Sequence, residues 1–171
     1  MSKYKILVPT DGSDFGRQIF PQIRKYISPE RNELILLRVG KPQTGYAGAR
    51  TGVAGLQSSA TANLSGQDFE QAAHPIYASQ ERASAAAEFR SELQAELHEI
   101  EQSGYTVHLE VRFGKHRGQA IVNYVNNNPV DMVAMTTHWR ASLTRFIFGN
   151  TVRYIAPRIK VPIFLMRPVE E

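Results

Sequence analysis

The chain has 171 residues, 42% of them hydrophobic and 21% charged, with no cysteine and a formal net charge of +4. That length suits one domain with a substantial buried core, and the lack of cysteine excludes a disulfide framework, a thiolate nucleophile and a Cys-ligated metal. No stretch approaches the roughly 18 apolar residues of a membrane span, and the apolar run behind Met1-Ser2-Lys3 is too short for a signal core, so a soluble, cytoplasmic protein is expected.

The charge is unevenly placed. From Arg112 onward there are nine Lys/Arg against three Asp/Glu, and before it eleven against thirteen. Either a solvated basic face or an anion-attracting site accounts for this excess. The basic residues are dispersed and not interleaved with aromatic ones, which argues against nucleic acid as a partner.

Tyr4-Lys5-Ile6-Leu7-Val8-Pro9 has the composition of a buried strand, and Thr10-Asp11-Gly12-Ser13-Asp14 is turn chemistry that offers N-caps. Phe15, Ile19, Ile23 and Ile27 recur every fourth residue and predict a helix over 14–28, either kinked at Pro21 or shorter than the pattern suggests. Residues 33–39 read as a second buried strand. Residues 41–78 lose all periodicity and are rich in Gly, Ala, Ser and Thr, which predicts a mobile insertion, with a lid over a site as the alternative. One long helix is predicted over 79–103, with Phe89, Leu93, Leu97 and Ile100 as its stripe and Gly104 as its C-terminal stop. Tyr105 to Phe113 gives a third strand. The basic turn Gly114-Lys115-His116-Arg117-Gly118 leads into a helix carrying Ile121, Val122 and Val125.

A fourth strand at 130–136 stops at hydroxyl, imidazole and guanidinium side chains. A polar loop follows, and Gly149-Asn150-Thr151 opens a short helix over 150–157. The run from Val161 to Met166 is a fifth strand, apolar enough by itself for a sheet interior. Strands that alternate with helices and are continuously apolar imply a parallel sheet covered on both faces, doubly wound by right-handed crossovers. Ligands of such sheets bind beyond the C-terminal strand ends, where the strand order reverses. That crevice would bring Thr10 and Asp11 beside the loop after strand four, whose helix N-terminus suits anions.

Two separated segments carry a resemblance. Tyr4 through Ser13 resembles the opening of the universal stress protein family. The stretch from Val130 to His138, Gly149-Asn150-Thr151-Val152 and Val161 to Pro168 resemble its C-terminal signature. The resemblance implies a five-stranded parallel sheet of order 3-2-1-4-5 and a homodimer formed through the strand from Val161 to Met166. It implies a non-catalytic stress-response protein with possible protein partners. In the nucleotide-binding branch, ATP contacts map onto Pro9, Thr10 and Asp11 after strand one and Val39 after strand two. That branch wraps the phosphates in a loop G-x-x-G-(nine residues)-G-(S/T). Here Thr136 and Trp139 occupy the first two glycine positions, Gly149 the third, Asn150 the Ser/Thr position, and Thr151 follows. Glycine there lets backbone amides approach phosphate oxygens. The replacements imply weak or absent ATP binding. The alternative is an adenine-nucleotide sensor, for ATP or AMP with Mg, built on Asp11, Val39 and Gly149.

Taken alone, each residue has a plainer role. Asp11 would be a turn residue that caps the first helix, and Trp139 would pack against a neighbouring loop or subunit. His138, Arg140, Lys115, His116 and Arg117 would either meet an anion or be solvated. Asn150 would cap its helix. No pair of His and carboxylates has ligand spacing, and no nucleophile lies beside a base, so neither a metal site nor an enzyme is expected.

Overall fold

Five apolar runs pair side by side into one sheet. The computed structural model describes residues 3–41, 75–137, 140–142, 145–147 and 149–167. Strand β1 is Tyr4–Pro9, β2 Asn32–Gly40, β3 Thr106–Phe113 and β4 Met132–Thr136. Two short strands follow, β5 at Arg140–Ser142 and β6 at Arg145–Ile147, and then β7 at Ile163–Met166. The main sheet has the order β3-β2-β1-β4-β7 with every pair parallel, which is 3-2-1-4-5 when its own strands are counted.

The strands lack polar alternation because both faces are covered. Ile6, Val8, Leu34, Leu36 and Ala134 face a layer made by α2 (Ile19–Tyr26), α3 (Pro75–Glu92) and α4 (Gln94–Gln102), through Phe20, Ile23, Phe89, Leu97 and Ile100. Leu7, Ile35, Leu37, Val133 and Met135 face α5 (Arg117–Asn127) and α6 (Asn150–Ile155), through Ile121, Val122, Val125, Val152 and Ile155. Each fully buried aliphatic side chain in these layers contributes about 1.5–3 kcal/mol. Gly104 ends α4 as expected. It adopts φ +88°, and Tyr105 N–H reaches back to the Ile100 carbonyl at 3.3 Å.

Several expectations need correction. The helix over 14–28 is two pieces, α1 (Asp14–Arg17) and α2, interrupted at Gln18 rather than at Pro21. Pro21 has no amide to donate to the Arg17 carbonyl and its ring crowds that oxygen, so the break falls a turn earlier and Pro21 lies in the first turn of α2. The helix over 79–103 begins at Pro75, inside the stretch expected to be aperiodic, and divides at Leu93 (φ −106°, ψ 19°). There the Arg17 guanidinium donates to the Glu92 carbonyl at 2.8 Å and intrudes on the helix's own ladder. The polar loop after β4 holds an antiparallel ribbon that pairs Arg140 with Ile147 and Ser142 with Arg145. Three-residue strands are too short to show a period. The last strand lies at the sheet edge, where the order 3-2-1-4-5 puts it despite its apolar composition, and among the described residues it pairs with β4 alone. Residues 42–74, most of the expected insertion, lie outside the described residues.

Candidate functional site

The turn after β1 is fixed by its own side chains. Thr10 is buried, donates its amide to the Leu37 carbonyl at 3.0 Å, and accepts the Gly12 amide on Oγ1 at 3.2 Å. Gly12 has φ +77°, a conformation that L side chains rarely adopt. Ser13, not Asp11, is the N-cap of α1, accepting the Gly16 amide on Oγ at 3.1 Å. Asp11 holds that cap in place: its Oδ1 accepts the Ser13 hydroxyl at 2.6 Å and the Ser13 amide at 3.1 Å. The other oxygen, Oδ2, accepts from Arg117 Nη1 at 2.9 Å. Burial pushes the Asp11 carboxyl up, but the Ser13 hydrogen bonds and the Arg117 guanidinium outweigh it and hold the group below its ordinary 3.8.

Around this turn lies a cleft of about 110 Å³ at the C-terminal ends of β1, β2 and β4. Six of the residues singled out in the sequence line it: Pro9, Thr10, Asp11, Val39, Thr136 and Thr151. They come from four separate elements, and the cleft sits where the strand order reverses, between β1 and β4. Arg117 joins them; Lys115 and His116, weighed equally with it in the sequence, are not among the lining residues. Sequence reasoning missed the apolar walls formed by Phe15, Leu37, Ile121 and Met135. Three of these four belong to the core cluster on the α5 side of the sheet: Leu37 and Met135, turned that way by the two-residue period of β2 and β4, and Ile121 on α5 itself. Apolar walls with a carboxylate and a guanidinium at the rim suit a flat, partly polar ligand that carries an anionic group.

The remaining candidates fall differently. Gly149 is the N-cap of α6 with an ordinary φ of −54°, and its amide donates to Thr137 Oγ1 at 3.2 Å. Asn150 is the exposed first residue of α6 and makes no cap, because the capping position belongs to Gly149. Neither lines the cleft. Trp139 and His138 lie outside the described residues, and only the backbone of Arg140 is described, in β5. Among the described residues, no group of three or more His, Asp or Glu is placed to hold a metal ion, and no helix is long and apolar enough to cross a membrane.

Comparison with known proteins agrees with this architecture. Universal stress protein Slr1230 of Synechocystis is 25% identical over 68 residues, which are 40% of this chain and 23% of that protein. Among solved structures, hypothetical protein MJ0577 superposes with a TM-score of 0.61 at 16% identity, covering all of both chains. A universal stress protein in complex with cAMP gives 0.56 at 14% identity, covering 99% of this chain and 100% of its own. A family member from Arabidopsis thaliana with AMP bound gives 0.54 at 12% identity, covering 97% and 92%. The model of the universal stress protein family matches residues 4–167, nearly the whole chain. With its parallel 3-2-1-4-5 sheet and its polar turn after β1, this chain belongs to the universal stress protein family.

Proposed function

We propose that this chain is a non-catalytic, cytoplasmic stress-response protein that works as a homodimer and binds ATP weakly in the cleft beside Asp11. One observation carries the reading: both carboxylate oxygens of Asp11 are already occupied by the chain's own Ser13 and Arg117. A nucleotide that needs this carboxylate must compete with partners that are always present. The Asp11–Arg117 pair is about half exposed, so displacing it costs only about 0.2–1 kcal/mol. That weakens binding without forbidding it.

The phosphate side supports the same conclusion. Thr136 and Trp139 stand where the family's phosphate loop has glycines. The Gly149 amide is spent on Thr137, so it is not presented to an oxyanion. The adenine class is suggested by the cAMP and AMP complexes of two structural neighbours. The adenosine half of the candidate site, Pro9 to Asp11 and Val39, stays gathered on one cleft. The homodimer would form through β7, whose outer edge pairs with no other strand among the described residues. Protein partners would then meet the dimer's surface.

The test is to denature freshly purified protein, analyse released nucleotides by chromatography and mass, and titrate the protein with Mg-ATP. We expect no stoichiometric ATP, saturation only at high ligand concentration, and no ATP turnover. Near-stoichiometric ATP, or sustained hydrolysis, would overturn the reading. A second reading, an AMP-responsive sensor, is favoured by one feature: Arg117 brings a cation to the cleft rim, enough to meet one phosphate without a glycine loop.

A further inference from the structure

We propose that Arg117 is a specificity latch that makes the cleft select phosphate-bearing adenine nucleotides over the free nucleoside. The proposal rests on the reading that the cleft accepts an adenine nucleotide, and assigns to Arg117 how that site discriminates. In the structure the guanidinium donates to Asp11 Oδ2 at 2.9 Å, and both side chains line the same cleft. Among the described residues lining it, Arg117 is the only cation and Asp11 the only anion. The two come from separate elements, one from the turn after β1 and the other from the first residue of α5.

The pair therefore competes with the ligand for Asp11 until Arg117 is released. A neutral nucleoside can take over the carboxylate but offers the guanidinium nothing in exchange. A nucleoside monophosphate offers both halves of a trade: its hydroxyls or amine donate to Asp11, and its phosphate receives Arg117. Guanidinium binds phosphate through two parallel, charge-assisted hydrogen bonds, a better partner than the single contact it makes with Asp11. The exchange is accessible because the pair is exposed, with 53% of the Arg117 side chain and 41% of the Asp11 side chain open to solvent. The start of α5 also favours the incoming charge. His116 at its N-cap makes no side-chain cap bond, so first-turn amides and the helix dipole stand beside the released guanidinium.

The experiment compares AMP and adenosine by isothermal titration against the wild-type chain, Arg117→Ala and Asp11→Asn, with thermal melts to show that each variant is folded. For the wild type we expect AMP to bind about tenfold or more tightly than adenosine. In Arg117→Ala that ratio should fall to about one, with adenosine affinity unchanged or improved because the latch is gone. In Asp11→Asn both ligands should weaken together and the ratio should survive, since Arg117 remains. If Arg117→Ala keeps the wild-type ratio, the latch is refuted while the cleft still stands as an adenine site. If neither ligand binds the wild type or Arg117→Ala at millimolar concentration, the adenine reading fails and takes the latch with it.

Discussion

The Gly149 amide donates to Thr137 Oγ1 at 3.2 Å, so the segment between β4 and α6 begins and ends at one point. Thr137 is 4% exposed, and its own amide is held by the Met166 carbonyl at 3.0 Å. One threonine thereby ties the end of β4 to both β7 and the start of α6. Thr137→Val keeps the shape, removes the acceptor and leaves a half-buried amide unpaired. It should cost about 1–3 kcal/mol in a urea unfolding titration, whereas Thr137→Ser should cost clearly less. A Thr137→Val variant as stable as the wild type would show that the hydroxyl contributes nothing.

Gly118 of α5 lies against Tyr154 of α6. A Cβ there would stand 2.8 Å from Cδ1 of Tyr154 and 3.1 Å from its Cγ, distances at which the ring has to move. Replacing glycine by alanine inside a helix ordinarily gains about 1 kcal/mol. Here overpacking costs about 1–3 kcal/mol, so Gly118→Ala should be destabilising on balance. In a Tyr154→Ala background the ring is gone and only Cβ remains, 3.2 Å away, so the same substitution should cost clearly less. A double-mutant cycle measured by thermal melts checks this. Additive effects of the two changes would rule out the close approach as the cause.

The sheet could be read from the sequence because its strands are short, apolar and separated by turn residues, and the family-like stretches at both ends set their order. Five of the six cleft residues named in advance were accessible for the same reason: Pro9 to Asp11, Val39 and Thr136 sit at or just beyond strand ends, and the reversal of strand order brings such ends together, while Thr151 came from the family-like stretch that opens α6. The Asp11–Arg117 contact was not accessible. It joins residues 106 positions apart and depends on where the first turn of α5 lands over the sheet, which no local pattern encodes. Lys115, His116 and Arg117 looked alike for that reason. The break at Leu93 was hidden too, since the arginine that meets the Glu92 carbonyl comes from α1. Local periodicity reports what a segment would do alone, and such interruptions are imposed from elsewhere in the fold.

The outer edge of β7 gives a test of the dimer. The amides of Val133 in β4 and of Thr137 just beyond it donate to the carbonyls of Pro162 and Met166 at 3.0 Å each. In a parallel pair, successive residues turn their backbone groups to opposite sides, so Ile163 and Leu165 present theirs to the free edge. Leu165→Pro removes an outward amide while leaving the β4 side intact. If the copies associate through this edge, wild-type chain should sediment as a dimer and Leu165→Pro as a folded monomer. A variant that stays dimeric would place the interface elsewhere, and a wild-type monomer would remove the homodimer from the proposal.

Acid provides an independent check on Asp11. Its carboxyl lies below the ordinary 3.8 in the folded chain because hydrogen bonds from Ser13 and the charge of Arg117 outweigh the cost of burial. A group whose folded value is depressed binds protons more readily when the chain unfolds. It therefore adds stability above the unfolded value, and that stability is lost as pH falls through the folded one. Asp11→Asn removes the titration. It should be less stable than wild type by at most about 1 kcal/mol near neutrality, because the ion pair is exposed. The difference should hold steady down to about pH 5 and shrink below about pH 4, as the wild-type carboxylate takes up its proton. Urea titrations of both proteins at pH 7, 5 and 3 measure it. A gap that widens in acid would mean that the ionised carboxylate is a burden in the folded chain, and that Arg117 and Ser13 do not compensate its burial.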